Sequence, residues 1–313
     1  MTISAQTYDN DKRFLWGLCY RMTGSAADAD DIVQDTFVKA LEKPPKDLEA
    51  PLRPWLVKVA LNLSRDQLRR RRRREYFGPW LPSPVLTEED GPFAAGEPTA
   101  PDMSPGVRYD SQESISLAFL LVLEALTPVQ RAVLLLRDVF DYSTTETATT
   151  LDMTEINVKV TLHRARRIIS AYDKDRALTL NKDHAELRRT LEQFLSYLAK
   201  GDVQGLEQML AKDVVLVSDG GGEINALAAP MSGRPKVLRL ITKLYEAYRD
   251  VTRTSLHLIN GQPAVVIQRS KVEPGHASFY TMHCELDQTS HMRRLRFVFS
   301  PSKLSALRQK VRV

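Results

Sequence analysis

Cysteine is scarce in this chain, which has Cys19 and Cys284 as its two cysteines among 313 residues. The two lie far apart, and neither belongs to a metal-type spacing motif, so the sequence excludes a disulfide framework and predicts no metal site. This cysteine usage is typical of a reduced compartment, and we expect a cytoplasmic protein without a bound cofactor.

Long hydrophobic runs are also missing. No stretch approaches the roughly 20 apolar residues of a membrane-spanning helix, and the N-terminal stretch MTISAQTYDNDKRFLWGLCY has no apolar signal core. We therefore expect neither a signal peptide nor a membrane partner. The charge bias is mild, with a net charge of +5, so the placement of the basic residues matters more than their sum. The length and a hydrophobic content of 43% predict two or three domains.

Residues 127–170 carry the most informative pattern. The segments TPVQ at 127–130 and STTE at 143–146 are capping boxes that predict two helix starts, and Thr154 is placed to cap a third helix. The third helix has an apolar side, consisting of Val158, Leu162, Ala165 and Ile169. Its other side is basic, with Lys159, His163 and Arg167 flanked by Asn157, Arg164 and Arg166. A short helix, a tight turn and a basic helix indicate a helix-turn-helix that binds the DNA major groove. A small bundle with a solvated basic face remains the alternative.

Residues 10–75 also predict helices. The first has Phe14, Leu15, Leu18 and Met22 inward. The second, from about 25 to 41, has Ile32, Val33, Thr36, Phe37, Ala40 and Leu41 inward. The third follows Pro51 and buries Trp55, Leu56, Val59, Ala60 and Leu63. It ends in six arginines at 69–74, which form either a solvated helix end or a surface for phosphates.

Residues 76–112 lose this periodicity and are rich in proline, glycine and acids, which predicts a linker rather than a domain. Its acids suit it to follow the basic channels of a partner, and an inert spacer is the alternative. Exposure of its apolar WLPSP segment at 80–84 would be unfavourable, so we expect this segment to dock on another surface. The remainder predicts an α+β domain, because helices are followed by β-branched and aromatic runs. The predicted helices span 187–198, 203–210 and 234–248, and the predicted strands span 214–218, 263–269, 277–286 and 292–299.

The runs LTPVQRAVLLLRDVF and LHRAR resemble domain 4 of bacterial extracytoplasmic-function sigma factors. DADDIVQDTF and WLVKVALNLSRD resemble domain 2 of the same family. One departure is Thr147-Ala148 in place of the usual Ile-Ala. The resemblance implies a multidomain protein, with two all-α sigma domains and a C-terminal α+β domain of the cone-shaped SnoaL-like type. The expected boundaries are 8–75 for domain 2, 76–112 for the linker, 113–175 for domain 4 and 183–305 for the C-terminal domain.

The resemblance also implies partners, namely core RNA polymerase, through its β′ clamp helices and β flap, and promoter DNA. The residues implied for the β′ contact are Asp31, Gln34, Asp35 and Phe37. Those implied for the −10 element are Lys58, Asn62, Arg65 and Arg69, with residues 43–51 and Trp55 around a flipped base. Those implied for the −35 element are Lys159, His163, Arg164 and Arg167.

One subgroup of the family carries three further motifs. Trp80, Leu81 and Pro82 match its W-L-P-x-P, and Asp219, Gly220, Gly221 and Gly222 match its D-G-G-G, although Glu223 stands where a basic residue is usual. SPSKL at 300–304 matches N-P-D-K-L in part, through Pro301, Lys303 and Leu304. The resemblance implies that the C-terminal domain regulates the chain in cis, by contact with the sigma domains or the linker.

Two other function classes remain open from the residues. The first is a stand-alone helix-turn-helix regulator with a small-molecule-binding C-terminal domain. The second is an enzyme whose pocket uses His257, His276, His283 and Asp287. These four residues show no tight acid–base spacing, and fold does not dictate function, so we predict no catalytic residue and no enzyme.

Overall fold

The computed structural model describes residues 5–45, 51–73, 76–87, 108–110, 112–179, 184–248, 252–270 and 273–311. The chain divides into two compact units. The first contains Met1–Glu75 and Thr87–Asp173, and the second contains Tyr76–Leu86 and Lys174–Val313. Among the described residues, no helix is both long and apolar enough to cross a membrane.

The first unit is helical. Its elements are α1 (Ala5–Thr23), α2 (Ala26–Glu42), α3 (Leu52–Arg72), a 3-10 turn (Glu113–Ile115), α4 (Leu117–Leu123), α5 (Pro128–Asp138), α6 (Thr144–Leu151) and α7 (Glu155–Ile168), followed by the start of α8 (Ser170–Thr179). The predicted caps are confirmed, because Thr127 and Ser143 each form a complete capping box and Thr154 accepts from the Asn157 N–H. Between α6 and α7 the chain turns at Asp152, whose φ is 53°.

The predicted inner faces of these helices are largely confirmed. Val158, Leu162, Ala165 and Ile169 of the third predicted helix are buried, and so are the four residues of the α1 stripe. Four assignments are wrong. On α3, Trp55, Val59 and Leu63 are only half-buried, whereas Val57 and Leu61 are buried beside Leu56 and Ala60. On α2, Leu41 is 68% exposed. It lies in the last turn of α2, one position past the buried Ala40, where none of the described residues covers it.

The second unit is the α+β domain that the sequence predicts. Its elements after α8 are α9 (His184–Lys200), α10 (Val203–Met209), β1 (Leu210–Asp219), β2 (Met231–Ser232), α11 (Arg234–Tyr248), β3 (Thr252–Ile259), β4 (Gln262–Arg269), β5 (Phe279–Leu286), β6 (Met292–Val298) and α12 (Pro301–Lys310). Within the described residues, the strands form one sheet in the order β2-β1-β6-β5-β4-β3, with β1 parallel to β6 and the other pairs antiparallel. The sequence did not predict β2, β3 or α12.

The two faces of the sheet differ in chemistry. Alternation along β5 puts Met282 and Cys284 on the inner face, where they pack into an apolar core with residues of α9, α10 and α11. Thr281, His283 and Glu285 alternate with them and therefore lie on the outer face. The space between these helices and the sheet is filled by side chains such as Phe194, Leu206 and Val237.

Both cysteines are free and buried, Cys19 in the first unit and Cys284 in the second, as the absence of a disulfide framework requires. Burial raises the pKa of the Cys19 thiol to about 12. Neither thiol is therefore in the reactive, exposed form.

Candidate polymerase, promoter and strap contacts

The predicted polymerase-binding surface lies on α2. Asp31, Gln34 and Asp35 are exposed along one side of the helix, whereas Phe37 is only 6% exposed and belongs to the helical core. The three polar residues are therefore available to a partner protein, and Phe37 holds the helix that presents them.

Two apolar residues continue this exposed side of α2. Val38 is 43% exposed and Leu41 is 68% exposed. Val38 follows Gln34 by four residues and Leu41 follows Val38 by three, so the helix places them in line. Aliphatic side chains next to exposed acids are suited to a protein interface. The spacing from Gln34 is a sequence signal for Val38, whereas periodicity alone predicts Leu41 in the core.

The four residues predicted for the −10 element lie along α3. Asn62 and Arg69 are exposed, and Lys58 and Arg65 are half-buried. Arg65 donates to Asn62 Oδ1 at 3.3 Å, and Arg69 pairs with Asp66 at 3.0 Å. Burial and the charge of Arg69 lower the pKa of Arg65, against the opposing effect of nearby acids.

One of those acids belongs to the helix-turn-helix. Lys58 Nζ donates to Asp152 Oδ1 at 2.6 Å, and Asp152 is the turn residue between α6 and α7. The two side chains are 37% and 70% exposed, so this ion pair is solvent-screened and contributes little to stability. It nevertheless places a carboxylate where the predicted function requires a DNA phosphate.

Two further arginines, Arg131 and Arg71, connect α1 and α3 with α5 and the end of α4. Arg131 of α5 is 2% exposed and donates to the carbonyl oxygens of Met22 and Leu123, each at 2.7 Å. It also pairs with Glu124 at 2.9 Å, and Arg71 of α3 donates to both oxygens of that carboxylate at 2.7 Å. Burial lowers the pKa of Arg131 to about 10, although the charge of Glu124 opposes this shift. The first unit is thus closed, with α1 and α3 packed on α5 and α6.

The predicted −35 residues lie on α7. Lys159, His163, Arg164 and Arg167 are all exposed on the side away from Val158, Leu162 and Ala165. Arg166 has a different role, because its guanidinium donates to both oxygens of the fully buried Asp138, at 2.9 and 2.5 Å. This hydrogen-bonded pair raises the pKa of Arg166 and holds α7 against α5.

The departure at Thr147 is accommodated within α6. The side chain is fully buried, and its hydroxyl donates to the Ser143 carbonyl oxygen at 2.8 Å. The additional polar group therefore has a partner, and it stays away from the face of α7 that is exposed.

Residues Tyr76–Leu86, here called the strap, belong to the second unit. The expected linker thus begins with a segment bound to the C-terminal domain, while residues 88–107 and 111 lie outside the described residues. Leu81, Ser83, Val85 and Leu86 of the strap are each at most 8% exposed. At its end, Val85 exchanges hydrogen bonds with Asn260, at 2.9 and 3.1 Å, and Leu86 bridges Ile259 at the end of β3.

Asp219 is the centre of the strap contact. Its side chain is fully buried, and its Oδ2 accepts from the Leu81 N–H at 2.7 Å and from Lys303 Nζ at 2.5 Å. Its Oδ1 accepts from the Tyr76 hydroxyl at 2.5 Å and from the Gly221 N–H at 2.9 Å. Lys303 also donates to the Leu81 carbonyl oxygen at 2.6 Å. Its ammonium lies over the rings of Tyr76 and Trp80, 4.8 and 4.6 Å from their centroids.

The first two glycines after Asp219, Gly220 and Gly221, are required by close packing. A Cβ at Gly220 would lie 2.0 Å from the Ile224 carbonyl oxygen. Gly221 has a φ of +66°, and a Cβ there would lie 2.4 Å from Ser300 Oγ. The loop therefore turns back toward the start of α12, which carries Lys303 and the buried Leu304, next to Pro301.

The departures at Glu223 and Ser302 occur together in one contact. Glu223 Oε1 accepts from Ser302 Oγ at 3.1 Å and from Ser300 Oγ at 3.4 Å. Where the subgroup pattern has a basic residue and an acid, this chain has an acid and two hydroxyl donors. The loop and the partial SPSKL motif are thus in contact despite the altered residues.

The structure does not bring the candidate enzyme residues together. His257 lies on β3 and His283 on β5, two strands apart, and both belong to the outer alternation of the sheet rather than to the apolar core. Their rings contact Ser255 and Thr281, at 3.0 and 3.1 Å. His276 and Asp287 lie in different connections. An open cleft of about 320 Å³ beside α9 and α10 contains none of the four residues.

Of the predicted base-binding loop 43–51, residues 46–50 lie outside the described residues.

Comparison with known proteins gives matches along most of the chain. The Sigma-70 region 2 model matches residues 7–74, and the Sigma-70, region 4 model matches residues 116–169. The extracytoplasmic-function RNA polymerase sigma factor SigJ of Mycobacterium tuberculosis is 30% identical over 255 residues, which cover 80% of this chain and 77% of SigJ. SigG of the same species is 30% identical over 271 residues, which cover 82% of this chain and 70% of SigG.

The crystal structure of Mycobacterium tuberculosis SigJ has the same fold. It matches with a TM-score of 0.72 at 24% identity, over 97% of this chain and 99% of the SigJ chain. The agreement extends across the helical unit and the α+β unit with its SnoaL-like architecture. The caps of the helix-turn-helix, the two matched sigma-70 regions and the two sigma-factor relatives lead to one conclusion: the chain belongs to the extracytoplasmic-function family of RNA polymerase sigma factors.

Proposed function

We propose that this sigma factor, which acts in transcription initiation, is controlled by its own C-terminal unit through the strap. The observation that carries the proposal is the buried Asp219–Lys303 pair, which binds the backbone of Leu81 on both its N–H and its carbonyl oxygen. A segment that runs from one sigma region toward the other is thereby fixed to the C-terminal domain.

The proposed division of labour follows the exposed faces. The α2 surface, with Asp31, Gln34 and Asp35, contacts the β′ clamp helices of core polymerase, and the second sigma region contacts the β flap. Lys58, Asn62, Arg65 and Arg69 of α3 act at the −10 element. Lys159, His163, Arg164 and Arg167 of α7 act at the −35 element, where phosphate contacts set the register and base contacts set the specificity. Because core polymerase works in the bacterial cytoplasm, this is where we expect the protein.

The closed first unit is incompatible with simultaneous binding of both elements. Positions −35 and −10 are roughly 25 base pairs apart, which is about 85 Å of duplex at 3.4 Å per pair. Lys58 and Asp152 are 2.6 Å apart. The α3 surface and the helix-turn-helix must therefore separate when the holoenzyme binds a promoter.

The strap limits that separation. With Tyr76–Leu86 fixed, and with Tyr109 buried and hydrogen-bonded to the Asp138 carbonyl oxygen in the first unit, residues 87–107 remain as the connection. A chain of this length reaches about 70 Å only when fully extended. As a flexible coil it would span roughly 25 Å. Release of the strap adds residues Tyr76–Leu86 to the connection between the two sigma regions. The regions can then separate further, so we expect release to favour the promoter-bound form.

Run-off transcription with core polymerase tests this proposal. Lys303→Met removes the charge that holds Asp219 and keeps the apolar stem, and Lys310→Met is the matched control because Lys310 is exposed on the same helix. We expect transcription to rise several-fold for Lys303→Met and for a chain shortened from Ser300, and to stay unchanged for Lys310→Met. Equal output from all four proteins contradicts regulation in cis.

We further propose that the C-terminal unit acts by binding rather than by turnover, since its candidate histidines and Asp287 lie on separate elements. A stand-alone regulator would bind duplex promoter DNA without polymerase, whereas we expect binding to require the core enzyme. Gel-shift measurements with and without core polymerase distinguish the two. Turnover by the full chain that is lost on changing His257 or His283 would contradict the absence of an enzymatic role.

A further inference from the structure

Two aliphatic side chains interrupt the basic surface of α7. Ile156 is 73% exposed and Val160 is 43% exposed, one helical turn apart near the start of the helix. At about 100° per residue, both lie on the side opposite the buried Val158, Leu162 and Ala165. They therefore occupy the middle of the face that the proposed function turns toward DNA.

Their surroundings indicate what covers them. Single exposed aliphatic residues are common on protein surfaces, but this pair is bordered by the exposed Lys159, His163 and Arg164. A neutral protein surface is a poor match for such a basic border, whereas DNA offers phosphates around the floor of a groove. β-Branched residues are also weak choices for exposed helical positions on propensity grounds. The charge of the border thus favours duplex DNA as the occupant.

The major groove offers one apolar group on an unmodified base, the C5-methyl of thymine. Residues near the N-terminus of a recognition helix are the ones that contact base edges, and Ile156 and Val160 are the second and sixth residues of α7. We propose that Ile156 and Val160 read thymine methyl groups in the −35 element. This inference rests on the proposed role of α7 and adds the base that it recognises.

The geometry also predicts a spacing. Four residues of helix rise by about 6 Å, which corresponds to roughly two base pairs at 3.4 Å each. The two methyl groups should therefore lie on neighbouring base pairs or one pair apart, on either strand. Arg164 and Arg167 then remain for phosphates and guanine.

Replacing thymine by deoxyuridine tests the idea, because it removes the methyl group and leaves every hydrogen-bonding group in place. The upstream element is first selected from randomised duplexes by its transcription with the reconstituted holoenzyme. Each thymine of that element, on both strands, is then replaced singly, and promoter affinity of the holoenzyme is measured. Loss of one buried methyl group corresponds to about fourfold in affinity, or about 0.8 kcal/mol.

We expect this fourfold loss at one or two positions for the unaltered protein. Ile156→Ala or Val160→Ala should weaken binding to the thymine duplex and remove the further loss with deoxyuridine at one of those positions. Ile168→Ala is the matched control, since Ile168 is 45% exposed on α7 but lies about 120° around the helix from Ile156. It should keep the full response to deoxyuridine.

Three results overturn the inference: no deoxyuridine substitution has an effect, the effects persist unchanged in both alanine variants, or the selected element has no thymine. The deoxyuridine measurement does not depend on how well a variant folds. A failure of the proposed function looks different, because the holoenzyme would then transcribe without regard to the sequence of the upstream duplex.

Discussion

Asp219 shows how one buried charge organises its surroundings. A fully desolvated carboxylate is tolerated only when it is paired and hydrogen-bonded, and Asp219 has four donors, from Tyr76, Leu81, Gly221 and Lys303. Two of these donors lie on the strap. The buried charge of Asp219 therefore fixes the strap, and loss of any of the four donors should weaken the binding of the strap to the C-terminal domain.

Removal of the Lys303 charge should loosen the strap measurably. Lys303→Met leaves Asp219 buried without its cationic partner, at an expected cost of about 3 kcal/mol. Hydrogen exchange at the amides of Leu81 and Val85 should then accelerate by about a hundredfold. Lys310→Met should leave those amides as they are, and equal protection in both variants would contradict the importance of the pair.

His283 predicts a pH dependence of stability. The ring is 5% exposed, and burial, followed by the charge of Arg296, lowers its pKa from 6.5 to about 3. Between these values the unfolded chain binds a proton that the folded chain does not, so stability is complete above about pH 6.5 and falls as the pH decreases toward 3. The expected loss at pH 5 is about 2 kcal/mol.

Urea unfolding at pH 7 and pH 5 measures this loss. His283→Gln should remove the difference between the two pH values, because glutamine does not titrate. The carboxylates change protonation mainly below this window. A loss of the same size in the variant would assign the acid sensitivity to other groups.

At the scale of elements, α3 and the α6–α7 turn are joined by groups that also suit DNA. Lys58 of α3 pairs with Asp152, and Arg65 lies close enough to feel the same charge. In the closed first unit, a carboxylate thus occupies part of the surface that we propose for the −10 element. Such a solvent-exposed pair is weak, so it biases the closed form without locking it.

Asp152→Asn should increase the open fraction of the free protein. Exposed pairs contribute about 0.2–1 kcal/mol, which corresponds to a change of up to about fivefold. Both native thiols are buried, so cysteines introduced at the exposed Lys39 and Ser170 can be labelled selectively for energy transfer. Glu155→Gln, whose carboxylate contacts Thr145 within the helix-turn-helix, is the control. An unchanged energy-transfer distribution for Asp152→Asn would show that the pair has no influence on closure.

At the scale of the whole molecule, the chain order and the spatial units differ. The strap precedes the second sigma region in sequence but belongs with the C-terminal domain. The C-terminal domain therefore completes its fold with residues that lie between the two sigma regions in sequence. Deleting residues 174–313 removes more than a separate domain, because it also uncovers the strap.

This arrangement predicts the behaviour of the shortened chain. Without residues 174–313, the buried Leu81, Val85 and Leu86 lose the surface that covers them. We expect stronger binding of an apolar fluorescent dye and a greater tendency to aggregate than for the full chain. Serine at these three positions should reverse both effects, and a shortened chain that binds no additional dye would contradict the prediction.

The sequence by itself determined the local elements. Helix starts at Thr127, Ser143 and Thr154 follow from short-range hydrogen bonds of the cap residues, and inner faces such as Val158 and Leu162 follow from helical periodicity. Both depend on neighbours within a few positions, so the sequence contains them directly. The features that the sequence did not predict have other causes. β3 and α12 carry weaker local signals, and Leu41 lies in the last turn of α2, where none of the described residues covers it.

Only the tertiary structure decided which distant residues meet. Asp219, Lys303 and Leu81 are separated by 84 to 222 positions. The strap residues Tyr76 and Val85 are separated from their partners Asp219 and Asn260 by 143 and 175 positions. The meeting of Lys58 with Asp152 spans 94 positions. Such contacts depend on how the helices pack on each other and on the sheet. A buried carboxylate needs hydrogen-bond donors, and the packing determines which donors lie within reach. Periodicity and capping therefore fixed the elements, while desolvation of charges across the fold fixed the strap and the closed helical unit.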